Sequence, residues 1–121
     1  RSMKVQGKAA RVGFDWNDVW GAYGKLEEEV LELKEAIEKE MGEAKLADEF
    51  GDVLFAAVNV ARFINVHPEF ALKGTVEKFI RRFEHVERRA AECNRSLQSM
   101  TLEEMDAFWN EAKAMESPQL T

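Results

Sequence analysis

Residues 19–41, VWGAYGKLEEEVLELKEAIEKEM, decide the fold. Val19, Tyr23, Leu26, Val30, Leu33, Ile37 and Met41 recur every three or four positions, the period of a helix with one apolar side. The stretch predicts a long amphipathic helix closed by Gly42, a residue suited to a helix end. Helical spacing continues on both sides. Upstream, a short helix is expected from about Lys4 to Val12, ending at Gly13, with Phe14-Asp15-Trp16 as connector. Downstream, Leu46, Phe50, Val53, Leu54, Ala57, Val58, Ala61 and Ile64 mark a central helix from about Glu43 to Val66. Its apolar face is wide enough to touch neighbours on more than one side. Pro68 suits the first position of the next helix, which Phe70, Leu72, Val76, Phe79, Ile80, Phe83, Val86 and Ala90 carry to about Cys93. Thr101-Leu-Glu-Glu104 has capping-box spacing, and Leu102, Met105, Phe108, Trp109 and Ala112 form a last helix that frays toward Pro118. Strand alternation is nearly absent, so the reading is all-α.

The chain of 121 residues fits a single domain, 1–121, with enough length to bury a core without staples. Lys+Arg number 17 and Asp+Glu 23, a formal charge of −6, which argues against a nucleic-acid binder with its basic face. The lone Cys93 excludes an internal disulfide framework and a cysteine-based zinc site, and suits a reducing compartment. No apolar run approaches 18 residues, and no basic stretch leads into a signal-peptide core. A cytoplasmic protein with no membrane partner is expected. There is no Gly-rich phosphate loop and no Ser nucleophile elbow. His67 and His85 stand apart and read as surface or helix-end residues rather than ligands.

The acids are where chemistry is expected. At 100° per residue, Leu26, Val30, Leu33 and Ile37 share a stripe about 60° wide, from which Glu27 and Glu38 point away. Glu29 and Glu32 lie together along one border of the stripe, beside Ala22, Lys25 and Ala36; small residues there admit a second helix at close range. On the central helix, Glu49 and Asp52 border the apolar face in the same way, and Ala56 and Asn59 extend their line. An antiparallel hairpin of the two helices sets the acidic borders face to face. Carboxylates about 5 Å apart repel by roughly 3 kcal/mol at an effective dielectric near 20, so the arrangement asks for a cation. Hard oxygen ligands suit Mg²⁺ or Mn²⁺. The alternative for such Glu pairs is a solvated acidic face. Lys78, Arg81 and Arg82 are candidates to hold a polyphosphate, or to pair with Glu77, Glu84 and Glu87 along their own helix. Phe14, Trp16 and Trp109 are candidates to stack on a base, or to fill a core.

The run Lys25-Leu-Glu-Glu-Glu-Val-Leu-Glu32 followed by Asp48-Glu-Phe-Gly-Asp52 resembles the EExxE…ExxD signature of MazG-type nucleoside triphosphate pyrophosphohydrolases. Lys8-Ala-Ala-Arg-Val-Gly-Phe-Asp-Trp16 resembles the opening of the C-terminal catalytic domain in two-domain MazG proteins, which makes this chain a candidate fragment of a longer one. Residues 49–62, Lys78-Phe-Ile-Arg-Arg-Phe83 and residues 105–113 are similar to its central helix, its KFxRRF element and its last helix. The resemblance implies a four-helix-bundle-like fold, an intertwined homodimer (with a tetramer as the larger alternative) and a Mg²⁺ site. It implies hydrolysis of nucleoside triphosphate to monophosphate and pyrophosphate, as in nucleotide-pool cleaning. By position, Glu29, Glu32, Glu49 and Asp52 would hold metal, with Glu28 and Glu49 catalytic. Lys78, Arg82, Trp109 and Lys113 would bind substrate. Val76 departs from the pattern, which has Asn there. Two alternatives stand beside this: a catalytically silent dimerisation or regulatory module, and a pyrophosphohydrolase narrowly specific for dUTP, dCTP or phosphoribosyl-ATP.

Overall fold

The computed structural model describes residues 1–116, and the expected fraying toward Pro118 lies outside them. Among the described residues there are five α-helices and no strand: α1 (Ser2–Arg11), α2 (Val19–Glu38), α3 (Glu43–Phe63), α4 (Pro68–Glu92) and α5 (Leu102–Glu116). A single 3₁₀ turn, Leu97–Ser99, precedes α5. The described chain divides into two compact units, residues 1–68 and 69–116.

In the first unit α2 and α3 form an antiparallel hairpin, and α1 lies against α3. The α2 N-terminus is capped by Asp18, whose carboxylate accepts from the Gly21 N–H at 3.1 Å. Gly21 also leaves room for the Trp16 ring, since an added Cβ would sit 3.2 Å from Trp16 Cε3. Gly42 does not close α2, contrary to the expectation. The helix stops at Lys39, and Glu40 takes the left-handed conformation at φ 49. Met41 N–H then bonds back to Ala36 O and Glu40 N–H to Ile37 O, both at 3.1 Å, a Schellman closure. Gly42, at φ 89, instead leads into α3 as its N-cap. Gly13, Asn65 and Asn94 occupy the equivalent left-handed position after α1, α3 and α4.

The hairpin seam is centred beside the Leu-Val-Ile stripe rather than on it. Ala22, Glu29 and Ala36, spaced by sevens, are buried on α2, and Glu49, Ala56 and Ala61 are buried on α3. Val30 and Ile37 stay 48% and 57% exposed. The physical reason is the one the small residues supply: Ala at the seam lets the backbones approach closely, Leu26 and Leu33 flank it half-buried, and Val30 and Ile37 are turned outward.

Helix α4, all but its first residue in the second unit, begins at Pro68, as the fixed φ and missing N–H of proline favour. The capping box forms: Thr101 N–H donates to Glu104 Oε1 at 2.8 Å, and Glu104 N–H to Thr101 Oγ1 at 3.1 Å. Val86, Ala90, Met100 and Ala112 are buried. Phe79 meets the Trp109 ring at 5.1 Å between centroids, and Arg89 lies 4.9 Å over the Phe108 ring. His85 is not a surface residue, as expected, but is buried between Glu111, 2.7 Å from Nε2, and Arg88, 3.0 Å from Nδ1.

Candidate metal centre

The seam that buries Ala22 and Ala36 buries Glu29 with them, because all three share one line of α2. From α3, Glu49 reaches the same place. Glu29 and Glu49 are only 5% and 7% exposed, an unusual position for carboxylates. One oxygen of each, Oε2, is buried without a hydrogen-bond partner. Oxygens of Glu29, Glu49 and Asp52 lie within 4.8 Å of one another, and so do those of Glu28, Glu29 and Glu32. Glu29 belongs to both groups and joins the acids of the two helices. The expected acidic borders therefore do face each other, and all five acids take part.

Each buried carboxylate has one cationic neighbour from its own helix. Lys25 Nζ lies 3.0 Å from Glu29 Oε1, and Lys45 Nζ lies 2.9 Å from Glu49 Oε1. Both lysines are pushed above their ordinary range, chiefly by those bonds. Two lysines against five acids leave the site strongly negative. The Glu29 charge raises Glu32 above the usual carboxylate range, with Glu49 and Glu28 adding to it. Asp52 is raised by loss of hydration and then by the charges of Asp48, Glu29 and Glu49. Converging oxygens, two of them buried and unpartnered, fit a hard divalent cation such as Mg²⁺.

Glu28 is exposed at the surface and bonded to Lys25 Nζ at 3.2 Å. The other candidate residues lie in the second unit. Arg82 does not pair along its own helix. Its guanidinium is held by Glu116 at 2.9 and 3.1 Å and lies 5.7 Å over the Trp109 ring. Arg82 above all, with Arg81 and Lys78 behind it, holds Glu116 below the ordinary carboxylate range. Lys113 projects from the last turn of α5. Sequence spacing missed the roles of Lys45 and Glu116. Lys45 carried an available signal, four residues before Glu49, whereas nothing in the pattern ties Arg82 to a residue 34 positions away.

Residues 22–87 match the sequence pattern of the MazG nucleotide pyrophosphohydrolase domain, an interval that takes in nearly all of α2, all of α3 and most of α4. The chain is 43% identical over 112 residues to the nucleoside triphosphate pyrophosphohydrolase/pyrophosphatase MazG of Thermotoga maritima, covering 93% of this chain and 42% of that protein. It is 40% identical over 117 residues to the nucleoside triphosphate pyrophosphohydrolase of Escherichia coli K12, covering 96% of this chain and 44% of that one. The Bacillus subtilis protein YabN is 54% identical over 74 residues, 61% of this chain and 15% of YabN. The chain thus spans less than half the length of each of these curated relatives.

Proposed function

The chain belongs to the MazG nucleotide pyrophosphohydrolase family, and from that premise we propose that it hydrolyses nucleoside triphosphates to monophosphate and pyrophosphate in a Mg²⁺-dependent reaction. The observation that carries the reading is the pair of buried carboxylates, Glu29 and Glu49, each with an unpartnered oxygen and both converging on Asp52. A silent helical module has no use for that repulsion. The unbroken family match from 22 to 87 supports one pyrophosphohydrolase domain along the chain.

Glu29, Glu32, Glu49 and Asp52 are assigned to the metal. Once bound, Mg²⁺ supplies positive charge against the phosphate oxygens and lowers the cost of ionising a water. The protein's own task is then positioning, since phosphoryl transfer asks for little covalent help. Glu28, exposed at the edge of the acids, orients the attacking water and accepts its proton on a carboxylate oxygen. Glu49, held by Lys45, keeps its carboxylate fixed for the same centre. Lys78 and Arg82 take phosphate oxygens, for which Arg82 exchanges Glu116 for substrate. Trp109 and Lys113 contact the nucleotide. The role of such an activity is removal of unwanted nucleotides in the cytoplasm, a setting the lone Cys93 suits. Among the described residues no helix is long and apolar enough to cross a membrane.

A homodimer, or a tetramer built from it, is the proposed assembly. Tyr23, Val30, Leu31 and Ile37 leave an apolar strip exposed along α2, of a kind that protein surfaces usually cover. Pyrophosphate release from a panel of nucleoside triphosphates, with and without Mg²⁺, tests the activity. Glu49→Gln should abolish turnover while Glu38→Gln, on the solvent side, leaves it unchanged. Equal activity of the two variants would remove the proposed site.

A further inference from the structure

We propose that Glu116, the last residue of α5, is a built-in competitor for the polyphosphate: it holds Arg82 until a phosphate displaces it. The inference rests on the pyrophosphohydrolase reading and adds a regulating residue to its phosphate contact. Arg82 turns one edge of its guanidinium, Nε–H and Nη2–H, onto a single oxygen, Glu116 Oε1, at 3.1 and 2.9 Å. An edge with two parallel N–H donors is what arginine presents to phosphate oxygens. The guanidinium also lies 5.7 Å over the Trp109 ring, and only 16% of the Arg82 side chain is exposed. Its position is thereby set, and the partner of that edge is what can change.

The carboxylate lies in a field suited to an anion. The bond from Arg82 first, and then the charges of Arg81 and Lys78 on the same helix, hold Glu116 below the ordinary carboxylate range, so it is fully charged at neutral pH. Docking of α5 on α4 does not need the pair. Glu111, earlier on α5, already meets α4 through His85 Nε2 at 2.7 Å and Arg89 Nε at 2.9 Å. Val86, Ala90 and Ala112 are buried on the same two helices. An acid at the last position of a helix also opposes the helix dipole, which favours cations there. The cations of α4, not the needs of α5, keep Glu116 in place.

A competitor of this kind weakens every anion that needs Arg82, and by one factor. The apparent affinity is the intrinsic one reduced by the fraction of molecules in which Glu116 has let go. That fraction is the same for a triphosphate substrate and for the pyrophosphate product. Glu116 therefore raises KM and relieves product inhibition together, without assisting the chemical step. Its return to Arg82 after turnover also helps to expel pyrophosphate, an ion that the α4 cations would otherwise retain.

The test measures binding of inorganic tripolyphosphate and of pyrophosphate to the whole chain in Mg²⁺, by calorimetry, in the parent and in Glu116→Gln. The variant should bind both about fivefold or more tightly, and by the same factor, because it cannot hold Arg82 with a charge-assisted bond. Glu103→Gln removes the same charge from the exposed first turn of α5 and should change neither affinity. In Arg82→Gln protein, where nothing is left to compete for, Glu116→Gln should alter affinity by no more than about twofold. Unchanged or weaker tripolyphosphate binding in Glu116→Gln overturns the proposal. So does a gain that persists in Arg82→Gln protein or appears equally in Glu103→Gln. Turnover of nucleoside triphosphates separates the proposal from the reading beneath it. If the parent hydrolyses them, Glu116→Gln should lower KM by the same factor with kcat no higher, and an unchanged KM overturns the competitor while the pyrophosphohydrolase stands. If none is hydrolysed and Glu116→Gln still tightens tripolyphosphate, the competitor stands and the pyrophosphohydrolase reading falls.

Discussion

Replacing Glu29 with Gln should change the stability of the metal-free protein little and abolish its response to Mg²⁺. Glu29 is the acid shared by both carboxylate groups, and it is almost fully buried. Its interaction with buried Glu49, at no more than 4.8 Å, amounts to about 3.5 kcal/mol of repulsion at an effective dielectric near 20. Glu28, Glu32 and Asp52 are exposed to water and add smaller repulsions. Two effects oppose the relief of that repulsion. The variant loses the attraction to Lys25 at 3.0 Å, and a buried amide with an unmade hydrogen bond costs about 1–3 kcal/mol. At the same dielectric the Lys25 attraction exceeds that repulsion before water screens the lysine, so the opposing effects largely cancel and the Tm in chelator should move by only a few degrees. Thermal melts of parent and variant in chelator and in millimolar Mg²⁺ measure both terms. The parent should gain stability with Mg²⁺ by mass action, and the variant should gain much less. A variant that keeps the full Mg²⁺ increment would refute the metal assignment.

Glu40→Gly should raise stability by about 0.5 kcal/mol, because Glu holds a left-handed backbone at a cost of roughly 1–2 kcal/mol, part of which glycine returns as unfolded-chain entropy; denaturant midpoints at unchanged slope would show it, and a lower midpoint would contradict the Schellman closure. Glu104 is held down to about 2 from an ordinary 4.5 by the Arg95 guanidinium and the Thr101 N–H. Its contribution is therefore present in full above pH 4.5 and is lost as pH falls from 4.5 toward 2, so Glu104→Gln should flatten the acid limb of stability against pH. An acid limb as steep as the parent's would count against that pairing. Light scattering at micromolar concentration should report a species larger than the 13.9 kDa chain, and a monomer would argue that the exposed α2 strip has another use.

The helices were legible because each depends on local signals: the 3.6-residue period of α2, Pro68 at the first position of α4, and the Thr101–Glu104 box. The acidic site was legible for a related reason. Glu29 and Glu32 sit beside Ala22 and Ala36, and small residues mark where a second helix can approach. What periodicity cannot report is which of two stripes on one helix is covered by its neighbour. On α2 the alanine line took the seam and Val30 and Ile37 were left outside, since close backbone approach favoured the smaller side chains. The end of α2 was misplaced at Gly42 because a Glu in the left-handed conformation has no sequence signature. His85 with Glu111, Arg82 with Glu116 and Gln6 with the Phe55 carbonyl are long-range pairings, invisible until the chain has folded.

The two lysines of the acidic cluster have a consequence for the order of events in the cell. Lys25 and Lys45 each stand one helical turn before the carboxylate they accompany, so each helix brings its own counter-ion to the seam. A site whose acids were neutralised only by the metal would tie folding to ion supply, as in small zinc domains that stay unfolded until loaded. Here the hairpin can close first and the ion can arrive afterwards, displacing ammonium groups that have long tethers and water within reach. Chelation should then produce a folded, idle protein, and restoring the ion should recover activity without a refolding step.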